Sequence, residues 1–221
     1  MNAEEIAKWS VENGWGAQGG HKDGWCTYAY GDCLVLSRMA LDYVPEGGCI
    51  VEIGSYGGRS LSCLLHVARQ KKARVAGVDP FGWYGHLAEP ELRKLLCMFP
   101  DVWWRFYYAT SELGFQVATT VKTNEGNYDQ EPASWEGPPF IDHNINFLHI
   151  DGDHASADKD CELWLPHLVS GGIVAFHDAR TLDMEVWDGG KVYLDADRFT
   201  NTWETLSHIK EDGCLLIRRK P

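Results

Sequence analysis

The sequence predicts an α/β domain with a mostly parallel sheet that an antiparallel hairpin closes at the C-terminus. Short apolar runs alternate along the chain with segments of helical periodicity, which is typical of βαβ units. Three of these runs are nearly continuous in apolar character, as are strands buried on both faces of a parallel sheet. Near the end, Asp212-Gly213 separates two apolar stretches, which is a good hairpin signal. A chain of 221 residues is long enough to bury the core of one such domain.

The individual elements follow from the same patterns. Residues 1–30 are rich in glycine and predict an irregular arm, and residues 31–221 predict a single domain whose first helix starts near Asp32. Strands are predicted at residues 49–53, 75–78, 105–108, 145–150 and 172–176. Helices are predicted at residues 60–70, 90–99, 158–168 and 199–206, with Pro90 in first position and Pro166 disturbing a last turn. Residues 123–144 and 179–195 fit no element, and loops of this length are usually functional.

Charge and composition argue against several classes of partner. The chain has 20 Lys+Arg and 32 Asp+Glu, a net charge of −12, which disfavours binding to nucleic acid or to an anionic membrane. No apolar run approaches the roughly 20 residues of a membrane span, and the first residues lack the features of a signal peptide. The seven cysteines are scattered without a C-x-x-C motif. We therefore expect a cytoplasmic protein with reduced thiols, and a homo-oligomer remains open.

A glycine-rich turn follows the first predicted strand and opens the next helix. Such a turn lets the backbone pass close to a ligand, and the free N–H groups at the helix start favour an anionic group. Two acids make the signal more specific: Glu52 ends the first strand, where it can attract an amine, and Asp79 ends the second, where it can bind both ribose hydroxyls. The two acids together predict a nucleoside-containing ligand. The alternative interpretation is that they only cap turns.

The segment from Val51 to Ser60 has the form E-x-G-S-x-x-G-x-S and resembles the first motif of class I S-adenosylmethionine-dependent methyltransferases. Residues 150–154, 162–166 and 171–178 resemble the second half of the same family, in the branch of macrolide-sugar O-methyltransferases and cephalosporin-pathway proteins. The resemblance runs from about Gly31 to the end of the chain. It implies a Rossmann-like three-layer sandwich with a seven-stranded sheet, and methyl transfer to a hydroxyl of a small molecule or sugar.

The same resemblance implies which residues contact the cofactor, S-adenosylmethionine. Glu52 would bind the methionine amino group, Asp79 the ribose, and Ser111 would lie near the adenine. The implied cofactor-binding residues are Glu52, Gly54, Ser55, Tyr56, Gly57, Gly58, Ser60, Asp79, Ser111 and Asp151.

A second group of polar residues follows the later strands of the predicted sheet. Asp151, Asp153 and His154 follow one strand, and His177 and Asp178 follow another, so that adjacent strands would bring them to the same edge. In metal-dependent O-methyltransferases, the positions of Asp151, His177 and Asp178 hold a divalent ion, which here would be Mg²⁺ or Mn²⁺. Asp151 is the first candidate to place the acceptor and His154 the second candidate, as general base. The alternative is an acid/base site without metal.

His177 departs from the family pattern, because the better-known metal-dependent relatives carry an acid there. Imidazole suits Mn²⁺, Fe²⁺ or Zn²⁺ better than Mg²⁺. Of the remaining histidines, His149 lies inside a strand and is interpreted as a core residue with a satisfied hydrogen bond. The two long loops are expected to cover the acceptor pocket.

Two other functions remain open on the sequence. A nicotinamide-dependent oxidoreductase also combines a glycine-rich turn with a later acid, although the G-x-G-x-x-G spacing is absent. A methyltransferase-like accessory protein of a biosynthetic pathway would keep the fold without the activity.

Overall fold

The computed structural model describes residues 1–14, 29–81, 85–120, 141, 144–179, 189–209 and 215–221. Within these residues, seven strands form one sheet in the order β3-β2-β1-β4-β5-β7-β6. Neighbouring strands from β3 to β5 are parallel, and β7 is antiparallel to both β5 and β6. The strands are β1 (Cys49–Ile53), β2 (Arg74–Val78), β3 (Trp103–Tyr107), β4 (Ile145–Ile150), β5 (Leu168–Phe176), β6 (Glu204–His208) and β7 (Leu216–Arg219). The predicted fold class is confirmed.

Helices cover both faces of the sheet. They are α1 (Ala3–Asn13), α2 (Tyr30–Tyr43), α3 (Arg59–Lys71), α4 (Gly85–Cys97), α5 (Ser111–Thr120), α6 (Ala157–Trp164) and α7 (Gly189–Thr200). Because side chains alternate along a strand, Ile50, Phe147 and Ile173 pack against the first four helices on one face. Val51, Leu148 and Val174 pack against the other helices on the opposite face. Strands buried on both faces explain the continuous apolar runs of the sequence.

The N-terminal arm is a correction to the sequence prediction. Residues 1–30 were expected to be irregular, but Ala3–Asn13 form α1. Asn2 and Glu5 form a capping box that satisfies free N–H groups at the start of the helix, and Ile6 and Ala7 are fully buried. The helix was not predicted because its apolar face is short and many glycines follow it in the sequence. The boundary of the main domain at residue 31 stays a prediction.

Several boundaries were also wrong. The helix predicted from Pro90 begins at Gly85, with Pro90 inside it, at the loss of one helical hydrogen bond. Residues 204–206, predicted as helix, belong to β6 because they pair with β7. Residues 189–195, predicted as loop, lie in α7. Pro166 does disturb its helix, which continues as a 3-10 turn at Leu165–His167. Most of the two predicted cover loops, together with the tip of the hairpin, lies outside the described residues.

Candidate functional site

The carboxyl ends of the parallel strands meet in one row, and hydrogen bonds extend the sheet past the strand ends. The amide of Gly54 donates to the carbonyl of Val78 at 2.8 Å, and that of Asp151 donates to the carbonyl of Ile53 at 2.8 Å. In the same way the amide of His177 donates to the carbonyl of Ile150 at 3.0 Å. These bonds hold the first residues of the turns beside one another, at the edge where open α/β sheets bind ligands.

The glycine-rich turn is packed directly against the chain that follows β4. Gly54 has φ +84°, and a Cβ atom there would lie 2.0 Å from the carbonyl oxygen of Asp151. Gly58 has φ +82° at the start of α3, and a Cβ there would lie 2.7 Å from Leu92. Both positions require glycine, first for the left-handed conformation and then for space. The turn predicted to bind the cofactor therefore lies in contact with the backbone of Asp151.

The remaining residues of this motif form the same turn. Gly57 lies between Tyr56, which itself has φ +42°, and Gly58, whose amide donates to the carbonyl of Ser55 at 2.7 Å. Ser60 lies in the first turn of α3 and is buried. The buried hydroxyl oxygen of Ser55 has no hydrogen-bond partner among the described residues, so it remains available to a ligand.

Asp79 holds two turns together. Its carboxylate accepts hydrogen bonds from the amides of Tyr56 at 2.7 Å and Phe81 at 2.6 Å. Burial raises the pKa of Asp79, although both amide hydrogen bonds oppose this shift. The capping interpretation therefore describes part of what Asp79 does. Each carboxylate oxygen can accept a further hydrogen bond, so ribose binding is compatible with this geometry.

Glu52 does not cap a turn. It is fully buried in β1, and its Oε1 lies 3.0 Å from Nδ1 of His149, which is also fully buried. The other carboxylate oxygen, Oε2, is buried and has no hydrogen-bond partner among the described residues. His149 is thus a core residue with a satisfied hydrogen bond, as predicted, but its partner Glu52 was not predicted from the sequence. The available signal was that both residues are next to last in neighbouring strands.

The predicted acid and histidine residues form one cluster. Nδ1 of His177 lies 3.0 Å from Asp151 and 3.3 Å from Asp178, and Nε2 of His154 lies 3.2 Å from Asp178. Asp178 has φ +54°, a left-handed conformation that is uncommon outside glycine. Asp153 does not join the cluster, because its carboxylate caps the turn His154–Ser156 through the amide of Ala155.

Electrostatics within the cluster favours charged histidines. Burial alone would lower the pKa of His177, but the carboxylates of Asp151 and Asp178 outweigh burial and raise it well above the usual value. The hydrogen bond to Asp178 also raises the pKa of His154. Burial opposes ionisation of Asp178, yet the two histidines lower its pKa. The two histidines and the two carboxylates therefore stabilise one another's charged forms within the cluster.

Asp151, His177 and Asp178 also fit a divalent cation. One ligand atom from each lies within 4.8 Å of the others, and the two carboxylates and one imidazole provide a mixed oxygen and nitrogen donor set. Nδ1 of His177 faces both carboxylates, so these three groups would hold the cation, and Nδ1 would have to be unprotonated to bind it.

Ser111 begins α5, but its hydroxyl is already engaged. It accepts a hydrogen bond from Nε1 of Trp164 at 2.8 Å and contacts the carboxylate of Asp160. Asp160 is 2% exposed and approaches Gly152 in the wall of a small cavity beside Asp151. The burial of Asp160 was not predicted from the sequence, because other acidic residues of the same helix are not buried and nothing in the pattern distinguishes Asp160 from them.

Asp160 should make the protein less stable as pH rises. Burial raises the pKa of Asp160 to about 6, so the folded state binds this proton more tightly than the unfolded state. The stabilisation is complete below the unfolded pKa near 3.8 and lost above about 6. Asp160→Asn should remove this pH dependence, on the order of 2 kcal/mol between pH 4 and pH 7, measured by urea unfolding. Glu162→Gln, an exposed change on the same helix, is the control, and identical pH profiles for Asp160→Asn and the unchanged protein would contradict the assignment.

None of the described helices combines the length and apolar character needed to cross a membrane.

No curated protein matches the chain at a significant level. Among solved structures, the O-methyltransferase from Bacillus cereus in complex with SAH (S-adenosylhomocysteine) is similar at 17% identity and a TM-score of 0.51, over 84% of this chain and 78% of the other. The SAH-bound Podospora anserina methyltransferase PaMTH1 is similar at 16% identity and a TM-score of 0.56, over 100% of this chain and 88% of the other.

These similarities support the fold. The sequence comparison extends further, because residues 51–179, more than half of the chain, match a family described as a methyltransferase domain. That match includes the glycine-rich turn, both strand-end acids and the acid and histidine cluster. The chain therefore belongs to the methyltransferase-domain family.

Proposed function

We propose that the protein transfers the methyl group of S-adenosylmethionine to a hydroxyl oxygen of a small molecule or sugar, with a divalent cation at Asp151, His177 and Asp178. The observation that carries this proposal is the contact between Gly54 and Asp151, which joins the predicted cofactor turn to the cluster. The Bacillus cereus neighbour is an O-methyltransferase in complex with SAH, which supports both the cofactor and the choice of oxygen as acceptor.

The cofactor would occupy the row of strand ends. Glu52 offers a buried carboxylate oxygen without a partner for the methionine amino group. Asp79 offers its remaining acceptor positions to the ribose hydroxyls, and the amides at the start of α3 favour the cofactor carboxylate. The side chain of Ser111 is engaged by Trp164, so any contribution of Ser111 beside the adenine would come from its backbone.

The reaction is an in-line displacement. The acceptor oxygen attacks the methyl carbon, the bond between that carbon and the sulfonium sulfur breaks, and SAH leaves with the electron pair. Asp151 lies where it can place the acceptor, and His154, which is partly exposed, can take the hydroxyl proton once it is neutral. When bound, a cation would act as a Lewis acid that acidifies and positions the acceptor hydroxyl.

A site without metal is the second candidate, and one observation favours it. Two histidines already pair with the two carboxylates, at distances from 3.0 to 3.3 Å. In that case Asp151, His154, His177 and Asp178 form an acid/base group that orients and deprotonates the acceptor by itself.

Calorimetry with separate ligands tests the proposal. We expect binding of S-adenosylmethionine and SAH and none of NADH, followed by methyl transfer in a screen of sugars and small phenols. Binding of NADH alone would support the oxidoreductase alternative. Cofactor binding without transfer to any acceptor would favour an accessory protein.

Replacing the two strand-end acids should weaken cofactor binding. Glu52→Ala lacks the carboxylate proposed to bind the amino group, and Asp79→Ala lacks the carboxylate proposed to bind the ribose. A hydrogen bond to a charged group contributes about 1.5–3 kcal/mol to binding. We expect SAH affinity to fall about tenfold or more in each variant, measured by calorimetry. Asp101→Ala, an exposed acid paired with Arg69, is the control. Unchanged affinity in both folded variants would refute the assignment.

A further inference from the structure

Glu52, the acid proposed to bind the cofactor amine, is paired with a second buried residue, His149, which has no role in the proposed function. Both side chains have 0% exposure, and the two residues are register partners in the parallel strands β1 and β4. They project from the same face of the sheet as Ile50 and Phe147, which precede them by two residues. The strand register therefore fixes His149 beside the acid proposed to bind the cofactor amine.

The hydrogen bond makes the two oxygens of Glu52 unequal. Nδ1 of His149 lies 3.0 Å from Oε1, and a carboxylate can only accept, so the imidazole N–H donates to that oxygen. Oε2 is buried and has no partner among the described residues. A buried carboxylate oxygen without a hydrogen bond is unfavourable, so a donor from a ligand is the partner it lacks.

We propose that His149 is a positioning residue for cofactor recognition: it holds Oε1 of Glu52 so that Oε2 faces the amino group of the methionine moiety. This inference rests on the proposed function, because it assumes that Glu52 meets the amine. His149 itself would touch neither the cofactor nor the reacting atoms. Loss of its N–H would leave the carboxylate free to turn, and affinity would fall only for ligands that carry the amine.

The experiment compares two ligands and three variants by calorimetry. SAH carries the amino acid moiety, whereas 5′-methylthioadenosine keeps the adenosine and lacks the amine. His149→Leu removes the donor, His149→Asn keeps an N–H near the position of Nδ1, and Glu52→Gln removes the negative charge. His66→Gln is the control, because His66 is a buried histidine of α3 whose ring packs on Trp9 and Phe99.

We expect His149→Leu to weaken SAH about tenfold and to leave methylthioadenosine within about twofold. His149→Asn should restore most of the SAH affinity, and His149→Leu should add little in the Glu52→Gln background. If His149→Leu does not fold, His149→Gln, which moves the amide away from the position of Nδ1, takes its place beside His149→Asn.

Other results overturn the inference in distinguishable ways. Equal losses for both ligands would mean that His149 only supports the fold. Normal SAH affinity in both His149→Leu and His149→Gln would mean that Glu52 needs no orientation. Normal SAH affinity in Glu52→Gln would mean that Glu52 does not bind the cofactor amine. Absence of SAH binding to the unchanged protein would refute the proposed function itself.

Discussion

Methyl transfer should disappear in excess chelator and return with Mg²⁺ or Mn²⁺, with Mn²⁺ at least as effective. The reason is the donor set: two carboxylates attract either ion, while the imidazole of His177 favours Mn²⁺. Asp151→Asn should abolish the response to metal and lower the rate at least about a hundredfold, because it removes one charged ligand from a set of three. SAH affinity should stay nearly unchanged, because asparagine keeps both the backbone carbonyl that packs against Gly54 and a side-chain oxygen that accepts hydrogen bonds. Initial rates and calorimetric titration with Mn²⁺ provide two independent measurements.

The chain offers a matched control for this change. Asp153 lies two residues from Asp151 but caps a 3-10 turn, and asparagine is an equally good cap. Asp153→Asn should therefore keep the metal response. Full activity of the unchanged protein in excess chelator would refute the metal proposal and favour the acid/base group formed with His154.

Gly54→Ala should have the largest effect on stability. Its Cβ would lie 2.0 Å from the carbonyl oxygen of Asp151, in a backbone conformation with φ +84°. Overpacking against the main chain and left-handed strain together should lower the free energy of unfolding by about 3 kcal/mol or more. Because the same clash would displace the predicted cofactor turn, SAH affinity should also fall. Urea unfolding and calorimetry measure the two effects.

Gly47→Ala separates strain from contact. Gly47 has φ +73° but nothing lies within 4 Å of its Cβ position, so alanine there adds only left-handed strain, about 1 kcal/mol. A similar loss of stability in both variants would falsify the idea that position 54 requires glycine because the backbone of Asp151 lies so close to it.

The regular elements of the sheet could be predicted from the sequence because their causes are local. β1 and β4 occupy the predicted residues, since continuous apolar runs between turn residues leave little freedom in their bounds. The hairpin of β6 and β7 followed from Asp212-Gly213 in the same way. The α1 helix was missed because its stability comes from packing on α2 and α3, and its short sequence alone has only a weak signal.

The sequence alone also determined which acids and histidines reach the carboxyl edge of the sheet, because these residues directly follow the predicted parallel strands. It could place Asp151, His154, His177 and Asp178 together without showing which atoms meet. Only the tertiary structure paired His177 with both carboxylates, joined Glu52 to His149 and buried Asp160 beside Gly152. These contacts join residues that are distant in the chain, and they depend on strand register and side-chain rotamers, which no local pattern encodes.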